Sequence, residues 1–147
     1  MNHHTTDDRR TQIVVLNHLG STAFMRGWFD SAEMHYGEAI ALLTWEEDDL
    51  AASLYENLGL VYINQGRTRL AIQAFERALD GDWVSRQQSL RYLVHSLAQD
   101  QRYATAKRRL DRYVRAFGPH PDGWTHERLD ARSRTHRASL ARSIAVS

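Results

Sequence analysis

The 147-residue sequence contains no cysteine and only two prolines. Without thiols there is no disulfide framework and no thiolate metal site. So few prolines, with eight glycines, exclude collagen-like and proline-rich chains. Long hydrophobic runs are also missing. The longest aliphatic stretch is Ile13-Val14-Val15-Leu16, far short of the ~20 residues a membrane helix needs. The segment Met1-Asn2-His3-His4-Thr5-Thr6-Asp7-Asp8 holds no apolar core and does not read as a secretory signal. Lysine is nearly absent too: Lys107 is the only one, so arginine carries the positive charge and favours bidentate contacts. The expectation from these absences is a soluble, cytoplasmic protein.

What is present fits a globular chain: 42% of residues are hydrophobic and 25% charged, and the length suits one domain with a sizeable core. The net charge of +1 conceals a division. Residues 1–82 carry 6 arginines against 13 acids, a net of −7; residues 83–147 carry 13 bases against 5 acids, a net of +8. A chain polarised in this way is expected to self-associate weakly, head to tail, at low salt.

Internal repetition organises the sequence. Leu19-Gly20, Gly27, Ala32, Tyr36 and Ala39 return, 39 residues later, as Leu58-Gly59, Gly66, Ala71, Phe75 and Ala78. A more worn third copy follows at an offset of 35, with Leu93, Ala106 and Leu110; there Val94 replaces the first glycine, Gln101 the second and Tyr113 the final alanine. Apolar residues such as Leu70, Ala71, Ala74, Phe75 and Ala78 fall at three- and four-residue intervals, and no segment alternates with period two. The pattern is that of helical hairpins. Gly20 and Gly59 admit a close neighbour, as do Ala32, Ala71 and Ala106 from the second helix. Gly27 and Gly66 stand where a left-handed helix end is wanted. Asp30 with Glu33, and Ser85 with Gln88, read as starts of the next helices. The acids of Trp45-Glu46-Glu47-Asp48-Asp49 read as a solvated, dipole-matched helix start.

After Gly118-Pro119-His120-Pro121 the repetition stops. Residues from about Asp122 to Ile144 form one further predicted helix, capped by Asp122 or Thr125, with a thin stripe of Trp124, Leu129, Leu140 and Ile144. Residues 1–10 are expected to be a disordered tail.

These residues resemble the tetratricopeptide repeat (TPR) family. The middle copy, Ala52 to Ser85, is the best match; Tyr55 stands where the family usually has tryptophan and Trp83 where it has proline. The resemblance implies an all-α chain: a right-handed superhelix of about three TPR repeats (13–46, 52–85 and 87–118, within 11–118), followed by an Arg-rich capping helix over 119–147. A polar-faced terminal helix is what a repeat stack needs to cover its last hairpin.

The resemblance further implies a concave groove, lined by the first helix of each hairpin, that holds a peptide or partner helix. By repeat position it receives Val14, Asn17, Ser21, Phe24 and Met25; then Ser53, Glu56, Leu60, Ile63 and Asn64; then Gln88, Arg91, His95, Ala98 and Gln99. Apolar anchors would supply affinity and flanking charges the register. The carboxylate clamp of chaperone cofactors is not reproduced: of the matching positions Asn17, Ser21, Asn57, Gln88 and Tyr92, only Asn57 agrees.

No catalytic constellation emerges. Ser89, His95 and Asp100 point to different helix faces, the histidines show no i, i+4 ligand pair, and no glycine-rich phosphate loop is present. The chain is therefore expected to be no enzyme, to need no cofactor or metal, and to act as an adaptor, scaffold or chaperone-like protein that binds another protein. The alternative is association with nucleic acid through a basic patch of Lys107, Arg108, Arg109, Arg112, Arg115, Arg128 and Arg132, whose binding would be salt-sensitive.

Overall fold

In a computed structural model, the structure describes residues 3–80 and 86–146. Among these the regular elements are all helical: α1 His3–Met25, α2 Phe29–Ala41, α3 Asp48–Asn64, α4 Thr68–Leu79, α5 Gln87–Gln99, α6 Tyr103–Phe117 and α7 His126–Val146, with one 3-10 turn at Trp45–Glu47. By internal contacts the chain divides into two compact units, Met1–Asp80 and Gly81–Ser147.

In the first unit, α2 packs on both α1 and α3, and α3 packs on α4. Its core joins Ile13, Ala23, Ala32, Tyr36, Ala39, Leu54, Leu58 and Val61, with Ala71, Phe75 and Ala78 buried from α4. The repeated glycines explain how close the helices come. A Cβ built on Gly20 would sit 2.5 Å from the Tyr36 ring, and one on Gly59 would sit 2.6 Å from the Phe75 ring. Each glycine is thus the socket for the aromatic residue of its own hairpin. The third hairpin solves the same problem with other residues. Val94 and Leu110 occupy the corresponding positions and both are buried: a larger residue on the first helix accompanies a smaller one on the second.

All three hairpins turn alike. The amides of Trp28, Arg67 and Arg102 each donate, at 2.9 Å, to the carbonyl five residues back, on Ala23, Tyr62 and Leu97. This closure requires a left-handed residue just before the donor. Gly27 (φ 78) and Gly66 (φ 72) supply it, and Gln101 (φ 63) adopts it without the freedom of glycine. The closure also corrects one sequence expectation. The turn delivers Trp28 directly to the cap of α2, with no side-chain cap bond. Asp30 and Glu33 instead accept from Gln65 Nε2 at 3.0 and 3.1 Å, and Glu33 pairs with Arg67 at 2.9 Å. Ser85 lies outside the described residues.

Two further expectations change in this unit. Helix α1 begins at His3 rather than beyond residue 10, because its early turns carry Arg9 and Arg10, which pair with Glu46 and Glu47 and with Asp49. The acids before α3 are not uniformly solvated either. Glu47 is 1% exposed. Its Oε2 accepts from both the amide and the hydroxyl of Thr44 at 2.8 Å, a closed capping box. Burial pushes the Glu47 carboxyl upward, but the donors on Thr44 and Arg9 outweigh it and hold it below the usual carboxylate range.

In the second unit, α5 packs on α6, and α6 on α7. Helices α6 and α7 run antiparallel: Asp111 meets His126 at 2.6 Å, Lys107 meets Asp130 at 2.8 Å, and the Tyr103 ring lies 6.3 Å from that of His136. The Thr125 hydroxyl accepts from the Arg128 amide at 3.1 Å and starts α7.

Candidate interaction surface

Helices α1 and α3 lie side by side in the same sense, with repeat-equivalent or adjoining positions facing each other. Arg10 reaches Asp49, 39 residues on, and Asn57 Nδ2 donates to Asn17 Oδ1, 40 residues back, at 3.0 Å. These separations match the 39-residue repeat offset to within one residue. The sequence-expected groove residues of the first two repeats follow one face of each helix, at intervals of three, four and seven.

Their individual states differ. Asn17 is engaged by Asn57. The Ser21 hydroxyl shares a 2.9 Å hydrogen bond with the Tyr36 hydroxyl, and Phe24 sets its edge against Phe29, centroids 5.6 Å apart. These three help fix the hairpin as well as forming its surface. Met25 is 85% exposed. Val14 is also exposed, whereas Ser53, Glu56, Leu60 and Ile63 are half-buried. Asn64 is exposed and donates to the Leu60 carbonyl at 2.8 Å, one turn back on its own helix.

The third-repeat residues do not stand open as expected. Arg91 forms a two-pronged pair with Asp122, at 2.8 and 3.2 Å. His95 Nδ1 accepts from Trp124 Nε1–H at 3.3 Å, with the two rings 6.0 Å apart. Between these contacts His120 is buried. Its Nδ1 accepts from the Asp122 amide at 3.1 Å, and its Nε2 lies 3.2 Å from the Arg91 carbonyl. The α6–α7 connection therefore lies on the very residues of α5 that the repeat position assigns to a partner. Gln99, by contrast, is exposed and lies 3.4 Å from His95. Gln88 is exposed and sits 3.5 Å from Arg91, and Ala98 is buried.

Electrostatics match this arrangement. The Arg91 guanidinium holds the Asp122 carboxyl below the ordinary carboxylate range. Burial lowers both His95 and His120 from the ordinary imidazole value, against the pull of Asp122. Both imidazoles act as acceptors through Nδ1, which only the neutral ring can do. The sequence flagged Pro119-His120-Pro121 only as the end of the repeats and Trp124 only as part of a stripe.

The basic residues have differing surroundings. Lys107 turns into α7 to meet Asp130. Arg128 and Arg132 lie over the Trp124 ring, at 4.2 and 5.4 Å. Arg109 is half-buried on another face of α6. Arg108, Arg112 and Arg115 remain exposed together along α6, Arg108 tied to Thr105 at 3.1 Å. Among the described residues, no cluster of His, Cys, Asp and Glu could hold a metal ion, and no helix is long and apolar enough to cross a membrane.

Helical hairpins repeated with the same closing bond, the first two with the same glycine–aromatic socket, define a helical-repeat protein. The tetratricopeptide repeat family model matches residues 11–82, and this part of the chain belongs to that family. Among curated proteins, none matches the sequence. Solved structures with this fold include the first TPR of Spaghetti (RPAP3) bound to the HSP90 peptide SRMEEVD; it is 17% identical, with a TM-score of 0.63 over 89% of this chain and 97% of that one. The Yersinia enterocolitica type III secretion chaperone SycD, in complex with a peptide of the translocator YopD, is 16% identical, with a TM-score of 0.61 over 85% of this chain and 92% of that one. The Sgt2 TPR domain from Aspergillus fumigatus is 16% identical, with a TM-score of 0.61 over 90% and 82% of the two chains.

Proposed function

We propose that this chain is a non-catalytic adaptor, scaffold or chaperone-like protein that holds a segment of another protein along the α1–α3 face. The observation that carries the reading is the Asn17–Asn57 bond, which sets α1 and α3 side by side within one residue of the repeat offset. Apolar Phe24, Met25, Leu60 and Ile63 follow from both helices, with Glu56 and Asn64 beside them. Apolar anchors flanked by polar groups suit an amphipathic helix or extended segment. Two structures that share the fold are complexes with peptides, which supports the same reading. The α5 residues Arg91 and His95 are engaged by the chain's own Asp122 and Trp124.

The test is affinity purification of the tagged chain from its native cell, compared with a Leu60→Glu/Ile63→Glu variant whose helicity is verified by circular dichroism. Loss of the partners recovered with the unmodified chain is the expected result. An unchanged set of partners from a folded variant refutes the reading.

A further inference from the structure

We propose that the corner between α6 and the start of α7 is a pocket for a small amphiphilic carboxylate, an aromatic or branched apolar body carrying a single carboxylate group. The cleft encloses about 580 Å³, inside the ~300–1,000 Å³ range of small-ligand sites. It lies wholly within residues 110–126 and is independent of the α1–α3 face. Leu110 and Val114 of α6, Pro119 and Trp124 form its apolar walls. Val114 is left 45% exposed there.

The polar atoms around it decide what it accepts. Trp124 Nε1–H is turned away to His95. Both ring nitrogens of His120 are taken, by the Asp122 amide and the Arg91 carbonyl. Asp111 is held by His126, and the Thr125 hydroxyl accepts the Arg128 amide. The second Asp111 oxygen and the Thr125 hydroxyl proton belong to exposed residues that water can serve, so the floor of Leu110, Val114, Pro119 and Trp124 offers van der Waals surface, which selects an apolar body.

Arg115 on the rim is different. It is exposed, and no side-chain hydrogen bond or ion pair joins it to any described residue. A planar guanidinium with unused donors beside an apolar cavity matches a carboxylate. The surrounding charge agrees: residues 86–146 carry 13 bases against 5 acids. The ligand's carboxylate would meet Arg115 while its body fills the space over Val114 and Trp124.

Calorimetric titration with sodium 4-phenylbutyrate, set beside its uncharged amide, tests the assignment. Saturable binding at one site in the micromolar to millimolar range is expected, weakened about tenfold for the amide and in Arg115→Ala. Val114→Trp should fill the cavity and abolish binding, and Arg142→Ala, a cation lost from the far end of α7, should leave it unchanged. The idea is overturned by absence of saturable binding at millimolar ligand. It is equally overturned if the amide and Arg115→Ala bind as tightly as acid and unmodified chain, or if folded Val114→Trp still binds. Arg115 is exposed, so its variant keeps the test valid even if Val114→Trp does not fold.

Discussion

One substitution should change sign with its position. Alanine in place of glycine inside a helix ordinarily stabilises by ~0.5–1 kcal/mol. At Gly37, mid-α2, an added Cβ meets no heavy atom within 4 Å, so Gly37→Ala should show that gain. At Gly59 the same Cβ lies 2.6, 2.7 and 2.8 Å from three Phe75 ring atoms. Carbon pairs settle at ~3.5–4.0 Å, so the ring must retreat by about 1 Å. Phe75 is fully buried, and such overpacking costs ~1–3 kcal/mol. Subtracting the helix gain leaves Gly59→Ala destabilised by about 1 kcal/mol. The two variants should then melt several degrees apart, at roughly 3 °C per kcal/mol for a chain of this size. Thermal and urea transitions followed at 222 nm by circular dichroism provide the comparison. A second background isolates the cause. In Phe75→Leu the ring is gone, and alanine at 59 should become neutral or favourable, a coupling of about 1 kcal/mol. The third hairpin already carries this solution in Val94 and Leu110. If Gly59→Ala equals the unmodified chain, or if Phe75→Leu leaves its effect untouched, the socket argument is wrong.

Two other outcomes follow from charge and burial. Burial lowers His95 and His120 in the fold, while their unfolded counterparts take up protons near pH ~6.5; Asp122 pulls both rings upward, as does the Arg91 carbonyl at His120, whereas the Arg91 guanidinium lowers both, Arg128 and Arg132 lower His95, and His95 lowers His120. The unfolded chain therefore binds more protons below that pH, so the contribution is complete above ~6.5 and is lost as pH falls toward the folded values. Urea midpoints measured from about pH 7.5 down to about 5.5 should decline, and an equal decline in His95→Gln/His120→Gln would discount these rings. Separately, Glu47→Ala should lower the melting temperature far more than Asp49→Ala. Both acids pair with arginines, but Glu47 is also buried and closes the Thr44 cap, whereas Asp49 is exposed. Equal losses would mean that the capping box contributes nothing.

The repeat offset, the glycines before each turn and the helical period were all legible in the sequence, because each depends on residues close in the chain. Gly27 and Gly66 do take left-handed conformations, and Gly20 and Gly59 are indeed points of close approach. What escaped was pairing across long separations. Asp30 and Glu33 form a plausible capping pair locally, but Gln65 and Arg67, more than 30 residues away, claim them. The acids before α3 look like a solvated run until Arg9 and Thr44 close over Glu47.

Sequence alone thus determined that the chain is a run of helical hairpins and which residue of the first two must be small, since backbone sterics and helical periodicity act within a few turns. Only the tertiary structure decided that Arg91 and His95 are met by the chain's own Asp122 and Trp124, and that Lys107 is met by Asp130 and Arg128 and Arg132 by the Trp124 ring. Those outcomes depend on which faces of successive helices come into register, and on burial strong enough to hold two imidazoles uncharged. No spacing along the chain encodes either.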